Sequence, residues 1–279
     1  MKKFTLYLVA LIALTTSCKE DPGVENHQGK NLLLIGNSFF RPYAEKLDDI
    51  TDATNFENHN STIVMRGGNN VRAINFWRDS TTAEHMAIKA ALDQGNIDIF
   101  GMTSGHNTDN YTEGFSAWIA YALQNNPDVT VFISISTIDY PDYWDTTASH
   151  YGYNTIEELY DSFVNDRIHK NIVDSLRVEF PNTTIFTVPT GWATFQLHQM
   201  WEDSLLLDNI NRMGSLATSI FTDTKGHQGD IVRETGGLIW MNSIYNYDLS
   251  TSTYNTGFNT DLHDVAMQIM NNHDPNYKQ

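Results

Sequence analysis

The chain has 279 residues, 41% of them hydrophobic and 12% aromatic, and it carries 34 Asp and Glu against 17 Lys and Arg. These proportions supply enough apolar side chains for a sizeable core, which excludes a disordered tail, a collagen-like repeat and a disulfide-stapled miniprotein. The net charge of −17 argues against a nucleic-acid partner, because affinity for phosphate backbones depends on clustered Lys and Arg. The same charge argues against an anionic substrate.

The first 17 residues have the pattern of a secretory signal peptide. Lys2 and Lys3 precede an apolar run at 4–14, and small residues lead to Cys18, the single cysteine of the chain. The apolar run is too short to span a bilayer, which needs about 20 residues. The arrangement resembles a bacterial lipoprotein signal, which implies that Cys18 is lipidated and that the protein is an outer-membrane or cell-surface lipoprotein. An ordinary cleaved signal with an incidental cysteine is the alternative, and either way no internal disulfide is possible.

The next segment is polar. Residues 18–30 contain Pro22, Gly23 and Gly29, a composition that predicts a tether. We expect one folded domain over 31–279, because a single α/β domain can reach about 250 residues.

Short apolar segments alternate with longer amphipathic ones along this domain. The pattern predicts strands near 32–35, 61–65, 97–103, 129–135 and 184–188, and helices near 42–54, 82–94, 113–125, 155–179, 231–246 and 260–272. Most strand segments are continuously apolar, so both faces of the sheet are expected to be covered. The alternation therefore predicts a three-layer α/β/α sandwich with a mainly parallel five-stranded sheet.

A serine follows the first predicted strand. In an open parallel sheet the active site lies at the carboxyl ends of the strands, and Gly36-Asn37-Ser38 stands at such an end. A glycine two residues before the serine would let the backbone turn sharply and leave the hydroxyl facing the cleft. A serine in this position is also a common helix cap, which is the structural alternative.

A serine nucleophile needs a base and a group that orients the base. Among ten histidines, His227 stands in a loop with Asp223, Gly226 and Gly229 just before a late helix. His263 also has neighbouring aspartates, but it stands at the start of a helix with an apolar stripe, where a solvated or capping role is expected. The sequence therefore favours His227 as base and Asp223 as its partner.

These residues resemble the motifs of the SGNH (GDSL-type) hydrolases over about 32–246. Gly36-Asn37-Ser38 matches the nucleophile block, with Asn37 where the family usually has Asp, and Asp223 with His227 matches the block near the carboxyl end. The glycine block of the family matches 66–69, which contains Gly67 and Gly68. Its Gly-x-Asn block matches 105–107, which contains His106 and Asn107.

The resemblance implies a Ser-His-Asp mechanism that requires no metal or cofactor. Ser38 would attack an ester carbonyl with His227 as general base and Asp223 orienting the imidazole. The oxyanion hole would consist of the main-chain amides of Ser38 and of Gly67 or Gly68, together with the side-chain amide of Asn107.

Residues that follow the fourth predicted strand are candidates for substrate contact. Tyr143 and Trp144 belong to an aromatic group near the expected cleft, where rings could stack on sugars, although loop aromatics also pack on their own domain. His106 could contact the substrate as well. The acidic residues within 139–145 lack a regular calcium-ligand spacing, and we expect solvated charge there.

The sequence therefore predicts a secreted, surface-anchored serine esterase that removes acyl groups, acetyl in particular, from carbohydrate. Its contact with the membrane would be through the lipid anchor alone. A catalytically degenerate glycan-binding lipoprotein is one alternative, and a lipase or thioesterase of the same fold is the other.

Overall fold

The computed structural model describes residues 27–68, 71–105 and 110–279. The predicted signal peptide, Cys18 and the first part of the tether lie outside the described residues. The strands are β1 (His27–Gln28), β2 (Asn31–Gly36), β3 (Phe56–Glu57), β4 (Asn60–Met65), β5 (Ile99–Thr103), β6 (Thr130–Ser134), β7 (Ile185–Val188), β8 (Asn211–Met213) and β9 (Ser219–Phe221).

Five of these strands form one parallel sheet in the order β4-β2-β5-β6-β7. Residues 32–35 of β2, which lies inside the sheet between β4 and β5, are buried on both faces, as continuous apolar runs of parallel sheets require. The predicted five-stranded α/β class is confirmed. The other strands form two small parallel pairs, β1 with β3 and β8 with β9.

The last four residues of the predicted tether, 27–30, contact the folded domain. His27–Gln28 pairs with Phe56–Glu57, and the Gly29 N–H donates to the carbonyl of Glu57 at 2.7 Å. Residues 27–30 therefore belong to the folded part of the chain, because their backbone groups find partners there.

The α-helices are α1 (Arg41–Ala53), α2 (Ala73–Arg78), α3 (Ala83–Asp93), α4 (Glu113–Ala122), α5 (Trp144–His150), α6 (Ile156–Ser162), α7 (Ser175–Glu179), α8 (Gly191–Glu202), α9 (Asp230–Tyr245) and α10 (Leu262–Asn272). A π-helical segment, Phe163–Asp174, joins α6 to α7, so that 156–179 is one helical run. Every predicted helix is present within a few residues.

The sequence pattern missed α2, α5 and α8. The first two have six and seven residues, too few to show a period. In α8, buried residues occur at 193, 194, 195, 197 and 198, so no single apolar stripe marks the helix. Among the described residues, no helix is both long and apolar enough to cross a bilayer.

Strand order places the helices. Since β4 lies on one side of β2 and β5 on the other, right-handed crossovers put α1 on one face of the sheet and α2 to α4 on the opposite face. The reversal occurs between β2 and β5, where ligand sites form in doubly wound folds. The carboxyl end of β2 is therefore the point where the fold itself favours a cleft.

Helix α9 lies directly against α1. Gly236 and Gly237 of α9 face Tyr43 and Lys46 so closely that a Cβ at Gly236 would be 2.2 Å from the Tyr43 ring. The Lys46 ammonium crosses to the buried Glu234 carboxylate at 2.7 Å. Burial opposes the charge of Lys46, but the hydrogen bonds to Glu234 and Asp49 and the charge of Glu234 together outweigh burial and raise the pKa of Lys46. Small residues and one ion pair thus fix the two helices together.

Two buried histidines lie under the carboxyl-terminal segment. His169 Nε2 lies 3.2 Å from Thr187 Oγ1, His273 Nε2 lies 3.0 Å from the same oxygen, and Tyr277 stacks on His169 with ring centroids 3.7 Å apart. Burial lowers the pKa of both imidazoles to about 4. The folded protein therefore holds both rings neutral.

We expect the folded state to lose stability as the pH falls from about 6.5 to about 4. The unfolded chain binds protons on these histidines near their ordinary pKa of 6.5, whereas the folded chain does so only near pH 4. Each histidine therefore lowers the free energy of unfolding by up to about 3 kcal/mol as the pH falls through this range. Urea unfolding between pH 7.5 and 4.5 measures the loss, and His169→Gln should reduce it by about 2 kcal/mol. The same change at the exposed His150 should leave it unaltered, and an equal effect of both variants would contradict the assignment.

Candidate active site

Ser38 lies at the carboxyl end of β2, three residues before α1 begins. The Asn37 carbonyl accepts hydrogen bonds from the N–H groups of Phe40 and Arg41, and the Asn37 side-chain oxygen accepts one from Phe39. Within the described residues, the Ser38 N–H makes no hydrogen bond. The turn thus occupies its other donors and leaves the Ser38 amide available to a substrate oxygen.

Gly36 is required for a reason that the sequence did not give. Its backbone has no positive φ, so the expected need for a sharp glycine turn is wrong. A Cβ at this position would lie 2.4 Å from the ring of Phe40, a side chain that is fully buried between the sheet and α9. The glycine lets the Phe40 ring cover the end of β2.

Asp223 and His227 form one compact loop between β9 and α9. One oxygen of Asp223, Oδ1, accepts hydrogen bonds from the N–H groups of Lys225, Gly226 and His227 at 3.0 to 3.1 Å. The other, Oδ2, lies 2.6 Å from His227 Nδ1. The four-residue spacing works because the carboxylate folds back over its own loop.

This loop brings His227 to Ser38. His227 Nε2 lies 2.8 Å from Ser38 Oγ, and the imidazole stacks on the Phe39 ring with centroids 4.6 Å apart and planes at 18°. With Nδ1–H donating to the carboxylate, Nε2 is left to accept the serine proton. The structure therefore brings together the three residues that the sequence predicted as nucleophile, base and acid.

The Asp223 carboxylate is held in its charged form. Partial burial raises its pKa, but the hydrogen bonds from the His227 side chain and from the loop N–H groups outweigh this and leave the pKa below its usual value. An ionised Asp223 fixes the tautomer of His227 and stabilises an imidazolium.

The predicted oxyanion residues are placed in part. Strand β4 pairs with β2 so that Met65 is the partner of Gly36, and the Arg66 N–H donates to the Gly36 carbonyl at 3.1 Å. Gly67 and Gly68 follow at the same edge of the sheet as Ser38 and are exposed. His106 and Asn107 lie outside the described residues, although β5, which precedes them, pairs with β2 on its other side.

The structure places the two predicted substrate-binding aromatic residues in different surroundings. Tyr143 is 64% exposed. Trp144 is buried at 4%, packs against Phe195 and Phe221, and donates its Nε1–H to the Ile138 carbonyl. The Trp144 ring is packed in the core, so it provides no stacking surface for a substrate.

The rival base is not at the serine. His263 lies in the first turn of α10, and its Nε2 is buried without a hydrogen-bond partner among the described residues. Burial lowers the pKa of this imidazole. The geometry at Ser38 therefore singles out His227, as the sequence predicted.

Sequence analysis missed two side chains that build the site. The Asn37 side-chain amide donates to the Val71 carbonyl at 3.2 Å, which ties the nucleophile turn to the loop after β4. The Gln228 side chain donates to the Phe39 carbonyl at 3.1 Å, which ties the histidine loop to the same turn. Asn37 and Gln228 stand next to candidate residues in the sequence, which was the available signal. Their hydrogen-bond partners are 34 and 189 residues away, so only the tertiary structure identifies them.

The described residues contain no group of three or more His, Cys, Asp or Glu side chains that could hold a metal ion. The chemistry that this arrangement offers is proton transfer between a hydroxyl and an imidazole beside a carboxylate.

Neither a scan against protein-family models nor a search of curated proteins finds a match. Among solved structures, the chain is similar to the periplasmic domain of a lipopolysaccharide acetyltransferase from Salmonella ser. Paratyphi A, with 12% identity and a TM-score of 0.40 over 80% of this chain and 84% of that one. It is also similar to a family 3 carbohydrate esterase from Clostridium thermocellum, with 14% identity and a TM-score of 0.41 over 77% of this chain and 94% of that one. The contacts of Ser38, His227 and Asp223 stand independently of both likenesses.

Replacing Gly36 tests how the Phe40 ring supports the serine turn. We expect Gly36→Ala to lower the free energy of unfolding by about 1–3 kcal/mol, because the added methyl group displaces the ring. Gly67→Ala is the matched control for stability, since a Cβ there meets no atom of the described residues within 4 Å. Equal unfolding midpoints in urea for the two variants would contradict this account of Gly36.

Proposed function

We propose that the protein is a serine ester hydrolase of the SGNH type, with Ser38 as nucleophile, His227 as general base and Asp223 as its orienting acid. The observation that carries the proposal is the unbroken chain of contacts from Ser38 Oγ through His227 to Asp223, at 2.8 Å and 2.6 Å. A helix-capping role for Ser38 is not supported, because no side-chain cap bond is present at the start of α1.

In the proposed reaction, Ser38 Oγ bonds to the ester carbonyl carbon as its proton passes to His227 Nε2. The imidazolium, stabilised by Asp223, then gives this proton to the departing alcohol, which leaves an acyl group on Ser38. A water molecule attacks the acyl-enzyme with His227 again as base. The acid is released and the serine is regenerated.

The developing oxyanion needs hydrogen-bond donors at the carboxyl edge of the sheet. We assign this role to the Ser38 amide, to the amide of Gly67 or Gly68, and to the side chain of Asn107. The N–H of Ser38, which makes no hydrogen bond to the described part of the chain, supports the first, and the position of the glycine pair beside β2 supports the second. Each such donor is worth on the order of 10²–10³ in rate.

For the substrate we propose an O-acylated, in particular O-acetylated, neutral carbohydrate. The net charge of −17 disfavours polyanionic chains. The exposed ring of Tyr143 supports a sugar contact, because Tyr143 lies three residues after Tyr140, whose N–H bonds to the Lys225 carbonyl in the histidine loop. We further propose export of the protein and anchoring through a lipid on Cys18, on the strength of the sequence of the first 18 residues.

A fluorophosphonate probe tests the nucleophile and the base together. We expect it to label Ser38 in the wild-type protein and to leave Ser38→Ala unlabelled. His227→Ala should lower kcat on a small aryl ester by a factor on the order of 10⁴–10⁶, similar to loss of the serine, since the two act as a unit. Asp223→Ala should cost less, because it removes the residue that orients and stabilises the base and leaves the base itself in place.

His263→Ala is the control for the base and should stay active. Labelling of a different serine in the wild-type protein, or inactivity of the His263→Ala variant, would overturn the assignment of the site. Binding of glycans without hydrolysis of any ester would favour the degenerate glycan-binding alternative.

Tyr143 tests the substrate class. We expect Tyr143→Ala to slow acetate release from acetylated xylan or mannan oligosaccharides up to about tenfold, the value of one stacked ring, while sparing a small aryl acetate. Mass spectrometry of the oligosaccharides measures the loss. Tyr151→Ala, which removes an equally exposed ring, is the control. Acetate release from no glycan by an esterase that cleaves aryl esters would direct attention to lipids and thioesters.

A further inference from the structure

The loop that follows β6, residues 138–143, lies against the loop that carries His227. The Tyr140 N–H donates to the Lys225 carbonyl at 2.9 Å. Pro141 packs on Gly226 so closely that a Cβ there would be 3.0 Å from Pro141 Cδ, and Gly226 has a φ of +96°. The two loops therefore meet through a hydrogen bond and a contact that only glycine permits.

Tyr140 is strained where the loops meet. Its φ of 59° and ψ of 68° place a bulky residue in the left-handed region, which costs on the order of 1 kcal/mol or more for a non-glycine residue. Such strain persists where surrounding contacts impose it and is concentrated at functional sites. The Lys225 carbonyl is the contact that the strained Tyr140 backbone satisfies.

Opposite charges lie across the same junction. Asp139 Oδ2 is 3.8 Å from Lys225 Nζ, with the lysine side chain 22% and the aspartate 42% exposed. The Lys225 ammonium also lies 5.5 Å from the centroid of the Phe39 ring, which stacks on His227. One cation and one carboxylate thus lie beside the base in addition to its partner Asp223.

We propose that Asp139 and Lys225 are positioning residues that hold the His227 loop at Ser38 and that set, through their opposed charges, the pH range in which His227 acts as a base. This inference rests on the proposed serine-esterase function and deepens it by naming residues beyond the triad. Neither side chain needs to touch the substrate. Both act through His227.

The sign of each effect follows from charge. A carboxylate stabilises a nearby positive charge and an ammonium destabilises it, so the removal of Asp139 and the removal of Lys225 are expected to act in opposite directions. Partial burial raises the pKa of Asp139, while Lys225 and His227 draw it down and Asp223 draws it up. This mutual influence agrees with the placement of all four groups in one electrostatic cluster.

The charged and polar groups near the imidazole come from several elements. Asp223 and Lys225 belong to its own loop, Asp139 to the loop after β6, and Ser38 with the Phe39 ring to the turn after β2. From α9, the Arg233 side chain donates to the Gln228 carbonyl next to His227. Of these charges, Asp139 and Lys225 are the ones that can be removed without touching the triad or the start of α9.

The experiment is the pH profile of the rate at which a fluorophosphonate labels Ser38. Asp139→Asn should move the acidic limb of the profile to lower pH, and Lys225→Met should move it to higher pH, each by about 0.5 unit for partly exposed charges. The double variant should return the limb to near its wild-type position. Lys225→Arg keeps the cation. In this variant the acidic limb should therefore stay at its wild-type position, unlike in Lys225→Met.

The controls separate the two roles and the two proposals. Lys170→Met and Asp166→Asn break an exposed ion pair on the helical run 156–179 and should leave the limb unmoved. Two outcomes would overturn the proposal for Asp139 and Lys225 and leave the esterase proposal intact. One is slower labelling of Ser38 with no shift of the acidic limb of the pH profile. The other is a shift of that limb in the same direction in Asp139→Asn and Lys225→Met. A wild-type protein whose Ser38 no probe labels would overturn the esterase proposal itself and the pair with it. Thermal melts identify a variant that has lost its fold, in which case Asp139→Ser or Lys225→Gln takes its place.

Discussion

The close contact between α1 and α9 is the constraint on which the candidate site depends. Ser38 stands three residues before α1 and His227 three residues before α9, so the separation of the helix starts determines whether the two side chains meet. Gly236 and Gly237 permit the approach, and the bond between Lys46 and Glu234 fixes it. A larger side chain at these glycines would move the base away from the hydroxyl without altering either one.

The site combines a local unit with a distant one. Asp223 and His227 are assembled by four residues of chain, because the carboxylate accepts the N–H groups of its own loop and then the imidazole. Ser38 comes from 189 residues away and is positioned by β2, an interior strand of the sheet. Preorganisation of this kind lowers the cost of reaching a reactive geometry, because the loop has already lost its freedom on folding.

Much of the fold was predictable because buried parallel strands and amphipathic helices leave clear periods. Residues 32–35 and the stripe along 156–179 are examples, and both lie where the pattern placed them. Trp144 shows the limit: its position after a strand suggested a binding surface, but its contacts with Phe195 and Phe221 are made by elements far along the chain. Helix α8 was missed for a related reason, since burial on several sides leaves no stripe to detect.

The sequence by itself determined the fold class and the three residues that meet at the candidate site, because strand and helix periods and short motifs are local properties of the chain. Only the tertiary structure showed that Gly36 must be a glycine because the Phe40 ring packs against it. The charges that surround the base were also decided by the tertiary structure. The pairing of Asp139 with Lys225 joins two loops 86 residues apart in sequence. No local pattern encodes that distance, because it depends on the order of the strands and on how closely the helices pack.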